Sequence, residues 1–485
     1  MNHIGSFPCA QVLDSTLLLH VMFGSRMFAW RSCMKIVLIG AGSAQFGFGT
    51  LGDIFQSKKL AGSEICLVDI DQKALDHVAE AAKQFIKEHS LDFSITASTD
   101  RLFVLEGTDV VVISIEVGKR FPLWDEDWTL PQQYGIKQVY GENGGPGGVF
   151  HALRITPVIV DICDDVVRLA PDAWVFNYSN PMTAITTTVL RKYPKLKFVG
   201  MCHEIASLER YLPSILDTPF EELDLRAAGL NHFSVLLEAS YKKSGKDAYP
   251  DILQKAPSFF EKEPGYSDIL AYVKENQQLF QTEGSTDRSL PEGMLSSKSW
   301  ADRTLFKKIL EHYKLLPITG DSHFGEYIPW AHEVSDHKGI KDFYTLYQLM
   351  LSQMKPKIEL KMNERLVFIL EGILDDSGYE EPAVNILNNG LIPSLPSWIA
   401  VEVPAKVRKG GLEGIAFPSY PKGFAALLRN YCGVYDLIAE AVLTKKKEYA
   451  LQALLANPIV DRCENIPELL DLMIERQDKW LGYLK

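Results

Sequence analysis

The sequence predicts an α/β fold: a doubly wound parallel sheet, then a second α+β lobe, then a helical C-terminus. Three observations lead there. Short apolar runs ("KIVLI" from Lys35, "EICLV" from Glu64, "DVVVI" from Asp109) are interleaved with amphipathic stretches such as "ALDHVAEAAKQFIKEH", the pattern of parallel strands joined by crossover helices. A glycine turn follows the first run directly. From "PKGFAALLRNYCGVYDLIAEAVLTKKKEYALQALLANP" onward, apolar residues recur at three- and four-residue spacing, which is helical. Before that end, "NERLVFILEGILDDSGYEEPAVNILNNGLIPSLP" reads as a helix followed by a loop or strand pair.

With 485 residues and 46% hydrophobic content, the chain is long enough for two lobes. We divide it into a nucleotide-binding lobe over 34–200 and a second lobe over 201–485. Residues 1–33 read as a poorly ordered extension, since "TLLLHVMF" has no basic flank or small-residue cleavage site. The net charge of −12 disfavours nucleic acid or an anionic membrane as the main partner. No apolar run reaches the roughly 18 residues of a membrane span. The 7 cysteines are scattered without a C-x-x-C pair, so a reducing, cytoplasmic setting is expected.

Taken in order, "KIVLIGAGSAQF" is a strand running into a glycine turn. Gly40 permits the tight turn, and Gly42 lets the backbone approach a pyrophosphate. Gln45 stands where the third glycine of G-x-G-x-x-G would be. The second strand ends in Asp69, an acid that suits a ribose diol and favours NAD over NADP; the competing reading is a solvated strand-end acid. "DVVVISIEVG" is read as a third strand, with Ser114 and Glu116 near its carboxyl end. The unit as a whole predicts a Rossmann-like lobe.

Five further stretches carry chemistry. In "YGENGGPGGVFHALR" the glycines let backbone amides approach a ligand, or else form a flexible loop. "VFNYSNPMTAI" offers Asn177 and Asn180 at a strand end; asparagines there either meet sugar hydroxyls or cap a turn. "GMCHE" and "AAGLNHFSV" bring Cys202 and His232 from separate strand ends. Together they could share a divalent metal with open positions for substrate, though each alone is more often structural. "ITGDSHFGEYIPW" gathers Asp321, His323, Glu326 and Tyr327, a dense set of acids and bases or a capped helix start.

In this order, "GAGS", "GPGG…ALR", "NYSNP", "CHE", "GLNH" and "GDSHFGEY" resemble the family 4 glycoside hydrolases, the NAD- and manganese-dependent glycosidases. The resemblance runs from Met34 to the C-terminus. It implies a lactate/malate dehydrogenase-like fold and a reaction without net cofactor use: oxidation at C3 of the sugar, deprotonation at C2, elimination, water addition and re-reduction. It implies Cys202 and His232 as ligands of Mn²⁺ or another divalent metal, and Gly40, Gly42, Ser43 and Asp69 as NAD contacts. Asn180 is implied as a sugar contact. His203 is implied as the leaving-group acid; the tyrosine-rich segment that supplies the base in phospho-sugar members has no match here, and Asp321 or Tyr327 is read as the base. Cys202-His203-Glu204-Ile205 differs by one conservative residue from the signature of the α-galacturonidase branch. That branch implies a uronic acid substrate, with Glu204 choosing the sugar and Lys119 and Arg120 facing its carboxylate. Alternatives are α-glucuronidase, α-galactosidase, α-glucosidase or, further off, a lactate/malate-type dehydrogenase. Members of the family are dimers or tetramers.

Overall fold

A computed structural model describes residues 33–43, 46–202, 204–262, 265–275, 304–353 and 357–485. Six parallel strands form its first half: β1 (Lys35–Ile39), β2 (Glu64–Val68), β3 (Ser94–Ser98), β4 (Val110–Ile113), β5 (Trp174–Asn177) and β6 (Lys197–Gly200). Their order is β3-β2-β1-β4-β5-β6, the doubly wound arrangement that places ligands at the carboxyl ends of the strands. The expected third strand is therefore the fourth. β3, "SITAS", is short, polar and half-exposed at the sheet edge, so it lacks the apolar run by which its neighbours are read.

β1, β2 and β4 are apolar along almost their whole length because both faces are covered. Ile36 and Leu38 of β1 enter one core, with Ile65, Leu67, Val110 and Val112. Val37 and Ile39 enter the other, with Cys66, Val68, Val111 and Ile113. Burying each such aliphatic side chain contributes about 1.5–3 kcal/mol. Helix α1 (Phe46–Phe55) packs in the first core, and α2 (Gln72–His89) starts at Asp71, whose carboxylate accepts the Lys73 and Ala74 N–H groups. On the other face lie α3 (Arg120–Gln133), α4 (Gly145–Leu169) and α5 (Met182–Lys192).

The second half adds antiparallel strands to the same sheet. A hairpin, β7 (Leu223–Leu230) and β8 (Phe233–Tyr241), is followed by β9 (Leu316–Pro317). Short helix α6 (Asp321–Gly325) and helix α7 (His337–Gln353) come next. After α8 (Leu366–Asp375), the expected strand pair appears as β10 (Glu380–Leu387) and β11 (Ala400–Arg408), with β12 (Gly411–Gly414) pairing β11. Asn385 pairs with Gly200 and Glu402 with Gly229, so β10 and β11 join the parallel half to the hairpin. The helical end is α9 (Lys422–Thr444), α10 (Lys447–Ala456) and α11 (Ile466–Arg476). Among the described residues, no helix is long and apolar enough to cross a membrane. The extension at 1–33 lies outside the described residues except for Cys33.

Candidate active site

The carboxyl ends of β5 and β6 and the turn of the β7–β8 hairpin converge on one cavity. Beyond β5, Asn177 serves the turn: its Nδ2 donates to the Ser179 carbonyl at 2.9 Å, and its Oδ1 accepts the Ser179 N–H at 3.3 Å. Ser179 in turn ties this loop to the end of β4, donating to the Ile115 carbonyl and accepting its N–H. Asn180 follows and reaches the cavity. Beyond β6, Cys202 and Glu204 line the same cavity.

His232, expected at a strand end, occupies the turn between β7 and β8, with φ +63°. A histidine in the left-handed region needs its surroundings to hold it there. The preceding Asn231 supplies the anchors. Its N–H donates to Thr183 Oγ1 at 3.2 Å, and its Nδ2 donates to the buried Glu402 at 2.7 Å. Tyr327 Oη donates to its carbonyl at 3.3 Å.

Cys202 Sγ lies 3.7 Å from His232 Nε2, and Glu204 Oε1 lies 3.4 Å from the same nitrogen. One ligand atom from each of the three falls within 4.8 Å of the others. A sulfur, an imidazole and a carboxylate together suit a divalent transition metal. Two further oxygens strengthen the fit: Glu204 Oε2 and Asn180 Oδ1 are buried without a hydrogen-bond partner, a costly arrangement that a cation would relieve. Burial, with Glu204 and Glu402 nearby, pushes the Cys202 thiol well above its usual range. Burial and Glu402 likewise raise Glu204. The sulfur and the Glu204 and Glu402 carboxylates lie close together in a buried setting that disfavours their charged forms, which a bound cation would compensate.

The glycine turn after β1 packs tightly against the ends of β2 and β4. Gly40 has φ +90°, and a Cβ there would lie 2.0 Å from the Ser114 carbonyl oxygen. A Cβ on Gly42 would lie 2.7 Å from Asp69 Oδ2. Asp69 sits at the turn, accepting the Gly42 N–H at 2.8 Å and the Asp71 N–H at 2.9 Å. Ser43 is exposed beside it. The bare backbone of the turn fits a pyrophosphate, and the strand-end acid fits a ribose.

The other expected site residues separate. Arg120, the first residue of α3, lines the cavity; Lys119, at its N-cap, is exposed and does not. Asp321 and Tyr327 are fully buried behind the wall and line neither this cavity nor its neighbour. Asp321 Oδ2 accepts the Leu305 N–H, and the Tyr327 ring stacks on Phe233 at 4.7 Å. His203 lies outside the described residues.

Two residues of the same dense motif carry more of the site than the sequence suggested. Glu326, fully buried, accepts the N–H groups of Glu142 and Asn143 at 2.9 and 2.7 Å, and also that of Gly144. The glycine-rich segment thus turns its amides to a protein carboxylate. His323 stands in the cavity wall, its ring centroid 4.7 Å from that of His232 and its Nδ1 3.7 Å from Glu142 Oε2. The cavity has a volume of about 260 Å³. A second cavity, about 210 Å³, lies across Glu204 and His323 and is lined by Arg210, Tyr266 and Phe306.

Residues 35–218 match the family described as "Family 4 glycosyl hydrolase", and residues 227–460 match its C-terminal domain. The chain belongs to glycosyl hydrolase family 4. This family 4 glycosidase is 60% identical to the alpha-glucosidase of Erwinia rhapontici, over 93% of this chain and 99% of that one. It is 26% identical to the alpha-galacturonidase of Bacillus subtilis (strain 168), over 88% and 93% of the two chains. Its fold is that of a 6-phospho-alpha-glucosidase from gut microorganisms solved with NAD and Mn²⁺. That likeness has a TM-score of 0.71 at 19% identity, covering 93% of this chain and all of the other. The cofactors expected from the sequence, NAD and Mn²⁺, are those this neighbour holds, and the cradle and the cysteine–glutamate–histidine cluster described above suit them.

Proposed function

We propose that this family 4 glycosidase hydrolyses α-glucosides, and that the neutral sugar binds in the cavity beside the cysteine–glutamate–histidine cluster. The observation that carries the reading is the 60% identity to an alpha-glucosidase across nearly the whole of both chains. The tetrapeptide from Cys202 to Ile205 favours a second reading, α-galacturonidase, but the alpha-galacturonidase of Bacillus subtilis (strain 168) shares only 26% of its residues with this chain. The charge of the cavity also supports a neutral sugar, because Arg120 stands between Glu142 at 2.9 Å and Glu116 at 3.7 Å.

Cys202, His232 and Glu204 would hold the metal, with Asn180 beside them. Gly40, Gly42, Ser43 and Asp69 would hold NAD. When bound, NAD supplies a reversible hydride acceptor and the metal a Lewis acid. The chain's own part is to orient and exclude. Gly40 and Gly42 clear the backbone, Asn180 turns a carbonyl oxygen to the sugar, and Trp124 and Tyr347 back Arg120 in one wall. His203, next to Cys202 in sequence, is assigned the proton for the departing glycosidic oxygen. Asp321 and Tyr327 act on the architecture; Tyr327 does so through Asn231. A nucleotide lobe over 34–200 and a catalytic lobe over 201–485, in a cytoplasmic dimer or tetramer, complete the reading.

The test is release of nitrophenol from the α-glucoside, α-galacturonide, α-glucuronide and α-galactoside, with and without NAD, Mn²⁺ and a thiol reductant. Fastest release from the glucoside, dependent on both cofactors, is expected. Faster release from the galacturonide would replace this reading with the second.

A further inference from the structure

We propose that Glu142 makes the cavity selective for uncharged sugars by holding Arg120 out of reach of a substrate carboxylate. The inference rests on the α-glucosidase reading and names the residue that enforces it.

A guanidinium in a sugar pocket is the group a uronic acid would seek, because its planar fork matches a carboxylate. Here the fork is already engaged. Arg120 Nη2 donates to Glu142 Oε1 at 2.9 Å, Nη1 donates to the Tyr347 hydroxyl at 3.2 Å, and Nε faces Glu116 at 3.7 Å. Its flat face lies over Trp124 and Tyr347, 5.2 and 5.4 Å from the ring centroids. Two carboxylates face this one guanidinium, Glu116 also lying 3.4 Å from His151 Nε2 and Glu142 3.7 Å from His323 Nδ1. An entering carboxylate must displace Glu142 and still meet Glu116, whereas a hydroxymethyl group meets no such repulsion.

Glu142 cannot easily turn away. It is 7% exposed. Its N–H donates to Glu326, and its carbonyl accepts from His151 Nδ1 at 2.8 Å. The glycine-rich segment, whose amides Glu326 collects, therefore fixes the backbone from which this carboxylate projects. A site that makes a rigid internal pair rejects a ligand that needs one half of it.

The experiment uses the full chain with NAD and Mn²⁺. It compares the 4-nitrophenyl α-glucoside with the α-glucuronide, which differ only in bearing a hydroxymethyl or a carboxylate at C5. In Glu142→Gln the glucuronide-to-glucoside ratio of kcat/KM should rise at least about tenfold, carried by a lower KM for the glucuronide. Adding Arg120→Met in that background should remove the gain. Glu142→Ala, which also frees the guanidinium, is measured alongside in case one substitution prevents folding. An unchanged ratio in a variant that binds NAD and melts like the parent overturns the proposal. So does a gain that survives loss of Arg120. The parent's own profile decides the α-glucoside reading separately: a parent that prefers a uronide ends that reading, while the response to substitution still judges Glu142.

Discussion

Glu402 makes no contact with the cavity, yet it fixes the turn that carries His232. Its carboxylate accepts from Asn231 Nδ2 at 2.7 Å and from Asn385 Nδ2 at 3.2 Å. Removing it leaves two buried amides without that acceptor, at a cost of about 1–3 kcal/mol, and loosens a histidine held at positive φ. Glu402→Ala should therefore weaken Mn²⁺ binding about 10–100-fold, as losses of supporting residues around metal ligands do, while NAD affinity stays unchanged. Calorimetric titration with each cofactor reads this directly. Mn²⁺ affinity equal to the parent's would mean that the turn holds itself. Cys202→Ser, by contrast, removes a proposed metal ligand and should abolish metal-dependent turnover with NAD binding spared; full activity in that variant would take Cys202 out of the metal site.

At the scale of elements, one carboxylate staples α1 to the segment leading into α8. Asp53 is buried and accepts the Asn363 N–H at 2.7 Å, the Asn363 Nδ2 at 3.1 Å and the Glu364 N–H at 2.9 Å. Burial outweighs these donors and pushes its pKa up to about 6. A carboxyl whose pKa is higher folded than unfolded binds its proton more tightly in the folded state. Its contribution is therefore largest below about pH 4 and falls as the pH rises to about 6. The stability advantage of the parent over Asp53→Ala should shrink by up to about 3 kcal/mol between pH 4 and pH 7. Denaturant melts at several pH values measure it, and an advantage that grows with pH contradicts the assignment.

For the molecule as a whole, the shared sheet matters most. β6, β10, β11 and β7 are adjacent in one sheet, and a single core contains residues from β1, α4, the hairpin and α9. The nucleotide half and the metal-bearing half should then unfold together. NAD at about one hundred times its Kd should stabilise the chain by about 2.7 kcal/mol and move one calorimetric transition. Two transitions, of which NAD moves only the first, would show that the halves unfold independently.

The sequence by itself determined the local chemistry. Apolar runs specify β1, β2 and β4, because a strand covered on both faces must be apolar along its length. The glycine turn and Asp69 are legible because their geometry is set within one strand and its next turn. Cys202 and His232 stood out by residue type. Tertiary structure alone decided what those groups face. β3 is polar and half-exposed at the sheet edge, so no apolar pattern announced it. His232 lies in a turn because β7 and β8 pair around it. Glu326 holds the Glu142 amide 184 residues away and Glu402 the Asn231 side chain 171 residues away, roles that neighbours in sequence could not assign. The same holds for Arg120: its residue type suggested a cation for an acidic sugar, and only the fold brought Glu142 against it. Charge is legible residue by residue, but its neutralisation depends on distances that the packed chain sets.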